Sequence, residues 1–347
     1  MRIGSHTPEN FLPKKQRFGV PSHPPSMYNK GMVDALLIYN PAAGRISVRP
    51  FIGGVIRTLN DHGVRVEVAE SLNGRHTTQL ARMAAAENFR AVFAIGGDGT
   101  AGQAAGGLFG SQTALGVLPA GTANVWGLEV GMKPFLWPNW RSLRENARLL
   151  AQARPFPIDM GLCNGQPFML WAGIGLDAMT VEKLVSRKHY EKYFAMPEYF
   201  AATVWNATMW HGMNLRVSAD DKQVEGHYLL AVASNIRHYV GGVAEISPGA
   251  YLDDGIMDMW LFSGSTLVDA FRHFFDMMSG RHLTSEQARC IPFHNVTIES
   301  ETLFSIQMDG EPMHSTKKVA LEVLPQQLQI LMPASARARL CKSHPEN

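Results

Sequence analysis

From Val33 to about Leu150, short apolar runs alternate with amphipathic stretches. The runs Val33–Tyr39, Val64–Ala69, Ala91–Ile95 and Ala114–Leu118 predict strands, and the stretches near Val48–Asn60, Thr77–Asn88 and Gly102–Leu108 predict helices. Strands alternating with helices imply an α/β unit built on a parallel sheet covered on both faces. After Pro155 the texture changes. Alternating runs at Phe168–Ala172, Leu215–Val217, Tyr228–Ser234, Ile256–Phe262, Val296–Glu299, Phe304–Met308 and Val319–Val323 predict a β-rich antiparallel sandwich or barrel. Helical insertions are expected around Ala178–Trp210 and Leu267–Ser279, and Pro134–Pro155 reads as the connection between the two halves. The expected organisation is a disordered leader over 1–32, an α/β domain over 33–154, a β-rich domain over 155–332 and a tail over 333–347.

Composition narrows the classes. Of 347 residues, 46% are hydrophobic and 18% charged, the balance of a globular chain with a sizeable core. A net charge of +2 gives no reason to expect a nucleic-acid partner, which usually demands a more basic surface. Cys163, Cys290 and Cys341 are odd in number and far apart, so neither a disulfide framework nor a metal pair is expected, and a reducing, cytoplasmic setting fits. The 13 histidines scatter without a helix-spaced ligand pair, which argues against zinc. Apolar runs such as Leu229–Ala233 are far shorter than the roughly 20 residues a membrane-spanning helix needs, so no transmembrane segment is expected and membrane contact would be peripheral. Lys14, Lys15 and Arg17 stand among prolines without a following apolar stretch, which favours a disordered leader over a signal peptide.

Three glycine-bearing turns carry the candidate chemistry. Asn40, Pro41, Ala42, Ala43 and Gly44 follow the first strand, Gly96, Gly97, Asp98, Gly99 and Thr100 follow the third, and Gly121, Thr122, Ala123 and Asn124 follow the fourth. All three stand at strand carboxyl ends, where α/β sheets bind ligands. Glycine there lets consecutive backbone N–H groups converge on an anion, with the next helix N-terminus adding a favourable dipole. Asp98 would repel phosphate by itself, so Mg²⁺, a water or a hydroxyl proton is expected as its partner.

In this order the turns resemble the catalytic domain of the diacylglycerol kinase and sphingosine kinase superfamily, in its soluble bacterial lipid kinase branch. Further matching stretches are Gly173–Ala178, Ser247–Gly255 and Gln307–Pro312, so the resemblance covers roughly residues 33 to 332. It implies an N-terminal parallel-sheet domain of the NAD kinase and diacylglycerol kinase kind, followed by an antiparallel sandwich. It also implies ATP and Mg²⁺ as cofactors, with Asn40 to Gly44, Ser71, Gly97 to Gln103 and Thr122 contacting the nucleotide. The Leu252–Gly255 turn resembles the family's Mg²⁺ site, where Asp254 would give its carboxylate and Tyr251 and Ile256 their carbonyls, oxygen ligands suited to a hard cation. Asp309 resembles the general base, supported by Glu311, although on composition alone Met308–Glu311 also fits a solvated hairpin turn.

Two positions depart from the family pattern. Gln103 stands where a glutamate is usual, and Val125 where an aspartate is usual. Gln103 keeps a hydrogen-bonding oxygen and loses the charge. The expected function is phosphoryl transfer from ATP to a hydroxyl of a diacylglycerol-like or sphingoid lipid at a membrane surface, with a homodimer allowed for and no nucleic acid. The alternatives are an NAD kinase-type enzyme, against which the acidic turns argue, and a catalytically weak lipid- or nucleotide-binding regulator, for which Gln103 and Val125 argue.

Overall fold

Four apolar runs form β1 (Ala35–Tyr39), β2 (Val66–Glu70), β3 (Ala91–Gly96) and β4 (Ala114–Pro119), all parallel in the order β4-β3-β1-β2. Strands β3 and β4 are buried at every position, as strands covered on both faces must be. The crossovers are α1 (Arg49–Asp61), α2 (Gly74–Ala86) and α3 (Asp98–Leu108). Helix α1 buries Ile52, Val55 and Leu59, one stripe of its surface. Helix α2 begins at Asn73, whose side chain accepts the His76 N–H. Strand β1 has β2 on one side and β3 on the other, so the chain reverses its travel across the sheet there. Such a reversal opens a crevice beyond the strand ends.

The structure is a computed structural model and describes residues 33–44, 46–136, 139–185 and 211–343, which together form one compact unit. The expected leader over 1–32 and most of the helical insertion around Ala178–Trp210 lie outside the described residues. A short helix α4 (Val125–Glu129) follows the third glycine turn, and α5 (Ser142–Ala151) occupies the stretch read as a connection. Helix α5 buries Leu143, Ala147 and Leu150 and packs against α1.

The second half is antiparallel. Its elements are β5 (Pro155–Cys163), β6 (Gln166–Phe168), β7 (Trp171–Gly175), α6 (Leu176–Val185), β8 (Met213–Ala219) and β9 (Lys222–Ser234). The small hairpin β10 (His238–Tyr239) and β11 (Ala244–Glu245) leads to β12 (Met257–Ser263), α7 (Leu267–Met278), β13 (Ala288–Phe293) and β14 (Asn295–Phe304). The chain closes with β15 (Ile306–Met308), β16 (Glu311–Pro312), β17 (Thr316–Leu331) and α8 (Ala334–Leu340). Strand β8 shows why the segment is extended: Met213, Leu215, Val217 and Ala219 are buried while Asn214 and Arg216 face water.

Strand β17 joins the two halves. It pairs antiparallel with β14 and β5, and its last residues, Ile330 and Leu331, pair parallel with Leu115 and Gly116 of β4. The run Phe168–Ala172, expected as one strand, is instead broken at Met169 and Leu170, between β6 and β7. Their N–H groups are used elsewhere, as described below. The stretch set aside as a tail contains α8, which buries Ala336 and Leu340.

Candidate active site

The three glycine turns touch one another. A Cβ on Gly121 would stand 2.4 Å from the Gly97 Cα, and one on Gly44 would stand 2.2 Å from the Ala120 carbonyl oxygen. Only glycine permits that approach. The turns are individually braced. The Asn40 side chain accepts the Ala42 N–H at 2.9 Å. Asn124, held at φ 55°, accepts the Gly121 N–H at 2.6 Å and donates back to the Gly121 carbonyl at 2.9 Å.

A cleft of about 350 Å³ opens over these turns. Asn40, Ala42, Ala43 and Gly44 line one side. Gly97, Gly99, Thr100 and Gln103 of the second turn and its helix, and Gly121 and Thr122 of the third turn, also line it. Gly74, at the start of α2, and Glu311 complete the lining, and neither was expected among the nucleotide contacts. Other expected contacts sit behind the surface. Gly96 and Ser71 are buried, the Ser71 hydroxyl finding no partner among the described residues, and Asn124 braces its own turn. Pro41 is not part of the lining.

Asp98 departs from expectation in its orientation. Its Oδ1 accepts the Trp126 N–H at 3.0 Å, so it ties the second glycine turn to the start of α4 instead of lining the cleft. Burial pushes its carboxyl up, against the lowering pull of the amides of Trp126, Val125, Asp98 itself and Asn124. The Trp126 N–H at the helix start is thus one partner of this carboxylate, for which Mg²⁺, a water or a hydroxyl proton was expected.

The late acidic turn reaches the same cleft from the second half. Met308 pairs with Glu311 across the two residues Asp309 (φ 49°) and Gly310 (φ 84°). Positive φ at both positions makes this the tight hairpin that Asp-Gly favours. Asp309 is 7% exposed. Its Oδ2 accepts the Met169 N–H at 2.8 Å, and its Oδ1 accepts those of Leu170 at 2.7 Å and Trp171 at 3.2 Å. Met169 and Leu170 are the break between β6 and β7, and Trp171 is the first residue of β7. Burial lifts Asp309 to about 6, the three amides opposing it and the charge of Asp98 adding to it. On α3, a Cβ at Gly102 would lie 2.7 Å from the Asp309 Oδ2, and one at Gly99 would lie 3.1 Å from the Glu311 Oε1. Gln103 Nε2 lies 3.5 Å from the same Glu311 oxygen. Desolvation raises Glu311, although much of it still faces water.

The turn has a support that no motif announced. Buried Gln307 accepts the Gly310 N–H at 2.9 Å and donates to Asp177 Oδ2 at 2.6 Å. Gly173 leaves room for that pair, since a Cβ there would fall 2.0 Å from Asp177 Oδ2. Buried Asn235 fixes the other side by donating to the Met169 carbonyl at 2.9 Å. The matching stretch Gly173–Ala178 hinted at this group only as a pattern.

The expected Mg²⁺ ligands Tyr251, Asp254 and Ile256 lie on the turn before β12, and their donor set does not fit a dication as it stands. Asp254 Oδ1 accepts the Ile256 N–H at 3.1 Å and its Oδ2 meets the Lys342 ammonium at 3.0 Å. The ring of Tyr251 carries two cations, Lys342 Nζ at 4.9 Å and the Arg237 guanidinium at 5.6 Å.

Comparison with known proteins agrees with this architecture. Residues 34–163 match the diacylglycerol kinase catalytic domain, and residues 172–332 match the YegS C-terminal NAD kinase beta sandwich-like domain. The chain is 24% identical over 283 residues to a diacylglycerol kinase of Bacillus subtilis (strain 168), covering 81% of this chain and 90% of that one. It is 26% identical over 306 residues to a "Probable lipid kinase YegS-like" of Klebsiella pneumoniae (strain 342), covering 86% and 96%. A crystal structure of a diacylglycerol kinase from Bacillus anthracis str. Sterne shares the fold, with a TM-score of 0.66 at 19% identity over 87% of this chain and 98% of that one. Among the described residues no helix is long and apolar enough to cross a membrane. With a diacylglycerol kinase catalytic domain over 34–163, a YegS C-terminal sandwich-like domain over 172–332 and kinases among its relatives, the chain is a lipid kinase.

Proposed function

We propose that the protein transfers the γ-phosphoryl group of ATP to a hydroxyl of a diacylglycerol-like or sphingoid lipid, acting from the cytoplasm at a membrane surface. The reading rests on the contact between the late acidic turn and α3, where Asp309 faces Gly102 and Glu311 faces Gly99 across the floor of the cleft. Phosphoryl transfer needs positioning, charge neutralisation and one group to take the hydroxyl proton. The glycine turns receive the phosphates on backbone N–H groups. No described residue lining the cleft is basic, so charge neutralisation falls to those amides and to the Mg²⁺ carried by the nucleotide.

Asp309, lifted toward neutral pH, accepts the proton of the lipid hydroxyl as its oxygen attacks phosphorus, and ADP leaves. Glu311, at the rim beside Gln103, steadies the acceptor. The test is incubation of the purified protein with γ-labelled ATP, Mg²⁺ and diacylglycerol or sphingosine in mixed micelles, with NAD as a separate arm. Labelled phospholipid is expected from the wild type and not from Asp309→Asn. Label on NAD alone, or undiminished lipid product from Asp309→Asn, refutes the reading.

A further inference from the structure

The turn Tyr251–Ile256 sits in an acidic neighbourhood. Asp159 is fully buried, with Oδ2 accepting the Gly255 N–H at 2.6 Å and Oδ1 the Gln326 N–H at 2.9 Å. Asp253 and Asp254 stand on the turn itself. Several carboxylates facing one turn demand a positive partner.

That partner comes from the end of the described chain. The Leu252 N–H donates to the Leu340 carbonyl at 2.8 Å. Asp253 accepts the Lys342 N–H at 2.7 Å and the Ser343 N–H at 2.9 Å, and the Ser343 hydroxyl as well. Arg237 donates to the carbonyls of Ala250 at 3.1 Å and Arg339 at 2.8 Å, bridging the turn and α8. Leu340 and Cys341 are buried beneath this seam. The Lys342 N–H and its neighbours on both sides are therefore held in place before the lysine side chain is considered. The ammonium then falls 3.0 Å from Asp254 Oδ2 and over the face of Tyr251, the residues from which a divalent ion would take its oxygens.

We infer that the Lys342 ammonium is the resident cation of this turn, so that the fold holds it without a divalent ion and Lys342 excludes such an ion from Asp254. A lysine is a compact point charge on a flexible stem, able to stand where a small cation would. Mg²⁺ is needed in this protein only with the nucleotide. This holds or fails independently of the lipid kinase reading, because it concerns folding and ion binding without substrates.

The experiment is thermal unfolding of the nucleotide-free full chain in EDTA and across a MgCl₂ series, with calorimetric titration of Mg²⁺. The wild-type melting temperature is expected to be the same throughout. Lys342→Met is expected to melt lower in EDTA and to recover saturably with Mg²⁺, by on the order of 2–4 °C at about tenfold the Kd, with one ion bound per chain. Lys342→Arg keeps the charge and is expected to remain insensitive to Mg²⁺. The double variant Lys342→Met/Asp254→Asn is expected to lose the Mg²⁺ response. A saturable Mg²⁺ stabilisation of the wild type that Asp254→Asn abolishes overturns the inference. So does a Lys342→Met chain that neither weakens in EDTA nor binds an ion.

Discussion

Asp309 allows a stability measurement to report on the proposed base. The fold lifts its carboxyl from 3.8 to about 6, burial being the largest cause. Because the folded value lies above the unfolded one, the fold prefers the neutral acid. That preference contributes fully below about pH 3.8 and is lost as pH rises through about 6. A shift of about two units corresponds to about 3 kcal/mol, of which about 2 kcal/mol falls between about pH 4.5 and about pH 7.5. The comparison chain is Asp309→Asn, whose amide does not titrate. Its Nδ2 meets the Met169 N–H and imposes a penalty of about 1–3 kcal/mol that is the same at every pH. Urea unfolding of both chains across this range should therefore show wild type losing about 2 kcal/mol relative to the variant as pH rises. The same group should give the kcat/KM profile of the wild type an acid limb near 6, because a base in the proposed role works only when ionised. A stability gap that stays constant from about pH 4.5 to about pH 7.5 refutes the argument, as does an acid limb near the ordinary aspartate value.

Three further substitutions probe the site. Gln103→Glu sets a second carboxylate beside Glu311, now 3.5 Å from the Gln103 amide, so the kcat/KM profile should move its acid limb upward and activity at neutral pH should fall; an unchanged profile removes Gln103 from the site. Gly121→Ala drives a methyl to 2.4 Å from the Gly97 Cα, forcing two backbones apart, with an expected loss of about 1–3 kcal/mol in urea unfolding and at least tenfold weaker ATP binding by calorimetry. Gly173→Ala strikes Asp177 and Gln307, which support the late turn from behind. It should lower kcat more than it raises KM for ATP, and the reverse pattern contradicts that support role.

Much of this was legible from local pattern. The four parallel strands, the three glycine turns at their ends and the Asp-Gly hairpin follow from short-range signals, because side-chain period and turn chemistry act over a few residues. What the sequence withheld was pairing and aim. Met169, Leu170 and Trp171 present main-chain N–H groups to Asp309, and an amide leaves no mark on residue type. Asp98 stands in its expected turn, yet its carboxylate points at Trp126, an orientation that depends on where α4 begins. Lys342 is 88 positions from Asp254 in sequence and 3.0 Å away in space, a distance no periodicity encodes. Strand β17 was visible as Val319–Val323 but not as a 16-residue element, since Pro325 and the positive φ of Gln326 interrupt its alternation.

The span of β17 has a mechanical result. Any rigid rotation that widened the cleft would have to tear Ile330 and Leu331 from Leu115 and Gly116, or bend the strand where its register slips between Leu324 and Leu328. Bending there is the gentler route, so substrate entry should be governed by flexing at that kink while the remaining ladder stays zipped. The same continuity means that a chain cut at residue 154 would leave β4 with a raw apolar edge, and such a fragment should associate with itself instead of persisting as a monomer.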